Sequence, residues 1–325
     1  MSEENRVFVK DLKVDEKYTD FFMVKFSDIK TGATGREYLD ILLGDKTGEI
    51  TAKKWDIAPE ERAFLASIKE GDIVKVRGII TDWKGQHQFK IEKIRKASED
   101  DGLDISIYVK SAPEPAEEMY AYIHEKVEGF KDEHLKALAL MFLDNEKERL
   151  MYYPAASKNH HAEMGGLLYH IKRMLMAGER LCEVYTGLNR DLVMCGVVIH
   201  DMEKLNEIES NELGVSPGYS FEGQLLGHIV QGVREVEKMT AKIPGFPREK
   251  AIMLEHMILA HHYEPEYGSP KKPLFAEAEI LHYLDILDAR MFDFEEALLK
   301  TEPGDFSDRI FTLDNRRVYK HSDDF

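Results

Sequence analysis

Residues 196–207 read "GVVIHDMEKLNE". An apolar run that starts at Leu192 ends in a histidine and an aspartate side by side, His200 and Asp201, with Lys204 three positions on. A carboxylate carried out of so apolar a stretch is costly unless it is paired, hydrogen-bonded or bound to a metal. The helices around it show where such a partner would come from.

Helical periodicity is almost unbroken from Glu117 onward. It predicts helices near 117–129, 132–150, 162–185, 190–203, 221–241, 248–261 and 276–299. His170 shares a stripe with Leu167, Ile171 and Met174, and His228 follows Leu225 by three and precedes Gly232 by four. His256 falls between Ile252 and Leu259, and Asp285 shares a face with Leu281, Asp288 and Ala289. Of 13 histidines, nine lie between His160 and His282. Taken singly, each is read more readily as a satisfied core residue, and Asp285 as a cap or a partner for Arg290. Five helices that each send an imidazole or carboxylate inward are harder to satisfy one by one, because every buried polar group needs its own partner. A shared metal serves them together, as in helical bundles whose ligands converge from facing helices. Nitrogen and oxygen donors without thiolate suit manganese, iron, zinc or nickel.

The first hundred residues have a different rhythm. "FFMVKFSDIKTGATGREYLDILLGDKTGEITAKKW" (21–55) reads as three strands, "APEERAFLASIKEG" (58–71) as a short helix, and "GDIVKVRGIITDWKGQHQFKIEKIR" (71–95) as two more strands. Five strands with one helix between the third and fourth match the OB-fold, a small barrel that often binds single strands. Tyr38, Trp55, Trp83 and Phe89 are aromatics in or beside strands, with Lys53, Lys54, Lys84 and Lys90 interleaved. Stacking with backbone neutralisation is how such barrels hold a strand. The nucleic-acid candidates are therefore Tyr38, Lys53, Trp55 and Trp83, against the plainer reading that strand aromatics are core. The acidic, proline-bearing stretch "ASEDDGLDISIYVKSAPEPAEEMY" (97–120) reads as a linker.

The chain of 325 residues is long enough for two cores. Its net charge of −17 falls almost wholly after residue 97, since basic and acidic side chains nearly balance before it. That argues against indiscriminate polyanion binding, and the near-neutral barrel predicts weak, salt-sensitive strand binding. An acidic half that handles an anion would want cations to offset its own field. No apolar run approaches the roughly 20 residues of a membrane helix, and "MSEENRVFVK" carries no signal core. The only cysteines, Cys182 and Cys195, lack metal-type spacing and fit a reducing cytoplasm.

The order His170, His200-Asp201, Asp285 resembles the HD-domain superfamily of metal-dependent phosphohydrolases, with "NHHAEMGGLLYHI", "ILAHHYEPEYGSP" and "LHYLDILDA" as supporting flanks. With an OB-fold in front, the whole chain resembles the YhaM-type 3′-to-5′ exoribonucleases. The resemblance implies a primary metal site of His170, His200, Asp201 and Asp285. It further implies a second ion held by His228 and by His256 or His261, with Asp201 bridging. Neighbouring His261 and His262 cannot both face one point from a regular helix, since successive residues turn about 100°. Pro265 and Gly268 end that helix and leave room for one of them to swing in. Lys204 resembles a lysine expected near a substrate phosphate, and His160 or His161 would assist at the departing oxygen. "YGSPKKP" stands where cyclic-dinucleotide phosphodiesterases carry a "GYP" motif.

The expectation is a multidomain α+β chain: an OB-fold β-barrel (1–97), a linker (98–118) and an all-α HD-domain bundle (119–325). It would bind one or two divalent ions per chain, manganese first among them. It would hydrolyse single-stranded RNA, or single-stranded DNA, from the 3′ end, in the cytoplasm and without a membrane partner, with a homo-oligomer allowed. The catalytic candidates are Asp201, Lys204, His160 and His161, and the metal candidates His170, His200, Asp201, His228, His256, His261 and Asp285. The rivals are a nucleotide or cyclic-nucleotide phosphohydrolase that uses the OB-fold for interaction, and a nucleic-acid-binding regulator with a degenerate site.

Overall fold

The barrel follows from strand alternation. In the computed structural model β1 (Lys17–Thr31), β2 (Glu37–Asp45), β3 (Gly48–Lys54), β4 (Ile73–Trp83) and β5 (Gln86–Lys96) close in the order β1-β2-β3-β5-β4, with α1 (Pro59–Ala66) between β3 and β4. Neighbours are antiparallel except β3 and β5, whose parallel pairing of Thr51, Ala52 and Lys53 with Gln88, Phe89 and Lys90 shuts the barrel. Successive residues face opposite sides. Leu39, Ile41 and Leu43 of β2 therefore fill the interior with Ala52, Val76, Ile80 and Phe89, all buried. Phe89 is core and not a stacking residue. Lys54 also falls on the inward side, where it is buried and bonded to Glu61 of α1 at 2.9 Å. It is committed to closing the barrel end and not open to a strand.

The structure describes residues 6–32, 35–83, 85–103, 107–156, 163–212, 214–216 and 218–322, with the backbone alone at Trp83 and Glu99. The chain divides into two compact units, Met1–Lys110 and Ser111–Phe325. The stretch 98–118 is shared between them. Ile107 accepts a bond from the Lys46 amide of the barrel, whereas Ala112 donates to Met164 of the second unit.

The second unit holds the helices α2 (Ala116–Glu128), α3 (Glu133–Asn145), α4 (Lys147–Leu150), α5 (Gly166–Val184), α6 (Arg190–Ile199), α7 (Lys204–Glu207), α8 (Phe221–Thr240), α9 (Arg248–Ala260) and α10 (Ala276–Leu299), with a hairpin of β6 (Ile208–Glu209) and β7 (Gly218–Tyr219). Asn189 caps α6 through the Leu192 amide, and Asp132 caps α3 through the amides of His134 and Leu135. From Asp191 to Ile199 every residue of α6 is buried. A helix apolar all round belongs at the centre of a bundle. Gly196 permits this closeness, because a methyl there would lie 2.3 Å from Cε of Met257 on α9.

The helix expected over 190–203 stops at Ile199. Beyond it the amides of Met202, Lys204 and Leu205 bond three residues back, to Ile199, Asp201 and Met202. Such a tighter turn brings side chains three apart nearly into line. It sets Lys204 beside Asp201 on the side that faces α5, α8 and α10.

Candidate metal centre

Asp201 lies at the centre of the site, 1 % exposed. Two groups of potential ligands share it: His170, His200, Asp201 and Asp285, and Asp201, His228, His261 and His262. Within each group one atom per residue lies within 4.8 Å of all the others. His200 Nε2 is 3.3 Å from Asp201 Oδ2, and His170 Nε2 is 3.7 Å from that oxygen and 3.4 Å from Asp285 Oδ1. His228 Nε2 and His261 Nε2 stand 3.4 Å and 3.7 Å from Asp201 Oδ1.

The other ring nitrogen of each histidine fixes its tautomer. Nδ1 of His200 donates to the Val197 carbonyl at 2.9 Å, that of His261 to Ile258 at 2.7 Å and that of His262 to Tyr267 at 2.7 Å. Nδ1 of His228 donates to Glu207 Oε2 at 2.8 Å and that of His170 to Asp288 Oδ2 at 2.7 Å. On a neutral ring a proton held on Nδ1 leaves Nε2 with its lone pair, and for His200, His228 and His261 that nitrogen lies within 3.7 Å of an Asp201 oxygen. Among the described residues, Nε2 of His200, His228 and His261 and Oδ1 of Asp201 are buried without a hydrogen-bond donor. Acceptors thus face acceptors in a low-dielectric pocket, which is costly until a cation sits among them. Imidazole and carboxylate donors without sulfur fit divalent metals, and hydrogen-bonded Nδ1 atoms are how ligating imidazoles are ordinarily oriented.

Electrostatics agrees. Burial opposes charge on Asp201, but positive charge on the His200 ring, present when that ring is protonated, and the Lys204 ammonium 2.7 Å from Oδ2 hold the carboxyl well below its usual range. A cation among the ligands would replace the ring's proton. Burial likewise opposes charge on Lys204, yet Asp201 keeps it protonated. Burial pushes His261 well below the ordinary imidazole value and lowers His262 too, so both stay neutral, as ligands must. His170 differs. Burial works against its charge, but the carboxylates of Asp285 and Asp288 lift it to about 9, so a proton and a cation compete for its Nε2.

The structure brings together His170, His200, Asp201, Lys204, His228, His261 and Asp285. It leaves His256 out. The inward stripe of α9 is Ala251, Leu254, Met257 and Ile258, whereas Ile252 is half exposed. His256 therefore rides on the outer side, where its ring packs on Phe275 and accepts the Leu274 amide at 3.1 Å. His262 takes the fourth place. α9 ends at Ala260 and Tyr263 turns left-handed at φ 67°, so the 100° rule of a regular helix no longer separates His261 from His262. His160, His161 and Lys84 lie outside the described residues, as does the side chain of Trp83.

The sequence reading also missed the carboxylates behind the imidazoles. Asp288, one turn after Asp285, ties His170 to Arg173, whose Nε is 2.6 Å from Asp288 Oδ1. Glu207 holds His228. The signal for Asp288 was its shared face with Asp285; nothing in the local pattern marked Glu207.

On the barrel, an outward residue of β2 and the residue that follows β3 form an aromatic step. Tyr38 and Trp55 stack with centroids 4.6 Å apart, and the Lys53 ammonium lies 5.3 Å and 5.6 Å from the two rings. Trp55 is 44 % exposed, so this stacked pair is not core. Lys90, the β5 partner of Lys53, is also exposed.

Fold and site together define a metal-dependent hydrolase of the HD type joined to an OB barrel. The family described as OB-fold nucleic acid binding domain matches residues 24–97, and the HD domain family matches 167–290. The 3′-5′ exoribonuclease YhaM of Geobacillus sp. (strain WCH70) is 39% identical over 308 residues, which cover 95% of this chain and 93% of that protein. The chain belongs to the family of that exoribonuclease. Among solved structures, the second OB-fold domain of replication protein A from Methanococcus maripaludis matches 28% of the chain and 92% of its own length at 18% identity, with a TM-score of 0.23. The single-stranded DNA binding protein of Thermus aquaticus matches 30% and 44% at 10% identity, also with a TM-score of 0.23. Among the described residues no helix is long and apolar enough to cross a membrane.

Proposed function

We propose that the chain shortens single-stranded RNA from its 3′ end by metal-dependent hydrolysis, with the helical unit cutting and the barrel holding the strand. The observation that carries the metal-dependent chemistry is the ring of inward Nε2 atoms around Asp201, each backed by an acceptor on Nδ1. Divalent cations held by these residues would lower the pKa of a water and neutralise phosphoryl charge. The chain does the rest. Asp201, with an oxygen toward each histidine group, sets the spacing of the site. The buried Lys204 ammonium, with N–H groups to spare beyond its bond to Asp201, meets a non-bridging phosphoryl oxygen and stabilises charge as it builds there. Imidazole and carboxylate donors without thiolate suit manganese, iron, zinc or nickel, and we put manganese first among them. Tyr38, Trp55 and Lys53 receive bases and a phosphate upstream of the cut, through stacking and charge. His160 and His161 are assigned to the departing oxygen on sequence grounds alone. We assign residues 1–97 to the strand-holding module, 98–118 to the linker and 119–325 to the catalytic module, and place the protein in the cytoplasm, where its two free cysteines stay reduced.

The test is 5′-labelled single-stranded RNA incubated with the protein and manganese. The expected product is a ladder that shortens progressively at its 3′ end, and the same assay on single-stranded DNA shows whether DNA is also a substrate. Cleavage of nucleotides or cyclic nucleotides with RNA left intact would establish the small-molecule reading instead.

A further inference from the structure

The two ligand groups are not built alike. The first has two carboxylates, Asp201 and Asp285, whereas the second has only the shared Asp201 with three imidazoles. With less negative charge, the second group depends more on how its imidazoles are aimed and how basic they are. His261 and His262 lean on backbone carbonyls, and only His228 has a carboxylate behind it.

That carboxylate, Glu207, has both oxygens on the same residue: Oε2 takes the His228 Nδ1 proton at 2.8 Å and Oε1 the His228 backbone amide at 3.1 Å. The second bond exists because α8 is broken. Gly227 sits at φ 69° and ψ 159°, a conformation open to glycine, and this frees the His228 amide from the helical ladder. The backbone of Glu207 is itself docked on the first turn of α8. The Ser220 amide donates to its carbonyl at 2.9 Å, and a methyl on Gly223 would lie 2.2 Å from that oxygen.

We propose that Glu207 is the positioning residue of the second group: through His228, presented by the Gly227 break, it decides whether the second and weaker cation is held. This inference rests on the metal reading above. Carboxylates behind ligating imidazoles raise metal affinity by orienting the ring and increasing its basicity.

The experiment is calorimetric titration of manganese into chelated full-length protein, for the native chain, Glu207→Gln, Glu207→Ala and Gly227→Ala. The native chain should take up two cations in a tight and a weaker event. Glu207→Gln keeps an acceptor for Nδ1 but loses the charge, and should weaken the second event about 10-fold. Glu207→Ala should weaken it about 100-fold. Gly227→Ala keeps the carboxylate and disturbs only the aim of His228; it should also weaken the second event. The tight event should stay as in the native chain throughout, which also reports that each variant is folded. Native-like second events in Glu207→Ala, equal weakening of both events, or a single native cation would overturn the proposal while leaving metal binding intact. No uptake by the native chain would remove the metal reading itself.

Discussion

Both units bury charged or polar side chains, and those of the barrel are treated in the opposite way to those around Asp201. In the barrel, Lys54 is bonded to Glu61, Asp20 accepts the amides of Val7 and Phe21, and Asp45 accepts those of Val9 and Thr47. Each carboxylate meets donors and the ammonium meets an acceptor, so these groups stabilise the barrel without needing anything else. Around Asp201 the outer sides of the imidazoles are satisfied just as carefully, but the inner sides present lone pairs to a carboxylate. The chain spends its hydrogen bonds on aiming those lone pairs. A buried polar group that its own chain satisfies is architecture, and one aimed at other acceptors is a request for a ligand.

The difference is broken most severely at Asp201. Asp201→Asn keeps the side-chain shape and should fold, yet manganese-supported hydrolysis should fall by more than about 1000-fold, because the one oxygen pair shared by both groups loses its charge. Metal content and turnover measured together check this, and native values for both would reduce the His-Asp pair to packing. Lys204→Ala should act on one quantity only. Its metal content should match the native chain while turnover drops about 10- to 1000-fold.

Much of this was legible in the sequence, for reasons that can be named. Strand alternation around Leu39, Ile41 and Leu43 gave the barrel its inward face, and the apolar run into His200 marked α6 as central. His228 faces Asp201, but not because of a helical stripe. Its supposed apolar neighbour Leu225 is exposed, and the break at Gly227, not the stripe, turns the ring inward. His256 was misplaced because α9 carries apolar residues on both sides, so Ile252 and Leu259 suggested a buried face that lies elsewhere. Asp288 and Glu207 act through partners 118 and 21 residues away, a kind of pairing that periodicity within one helix does not register.

The barrel supplies the milder contrasts. If the exposed step of Tyr38 and Trp55 holds bases, Trp55→Ala should raise KM for a long single strand by about 5- to 100-fold, in line with roughly 1–3 kcal/mol per stacked base. Turnover of a dinucleotide should not change. Equal losses on both substrates would show that the pair serves only the fold. Smallest of all, Lys53→Ala should lower the slope of log affinity against log salt by about one, with little change in kcat. An unaltered salt slope would place the phosphates elsewhere.

The central claim is that the inward acceptors around Asp201 are cation ligands, and anomalous scattering from manganese-soaked crystals of the full chain tests it most directly. The account predicts manganese peaks on either side of Asp201, one coordinated by His170, His200 and Asp285 and the other by His228, His261 and His262, with none at His256. A map with no manganese peak at Asp201, from crystals soaked at millimolar concentrations, would contradict it.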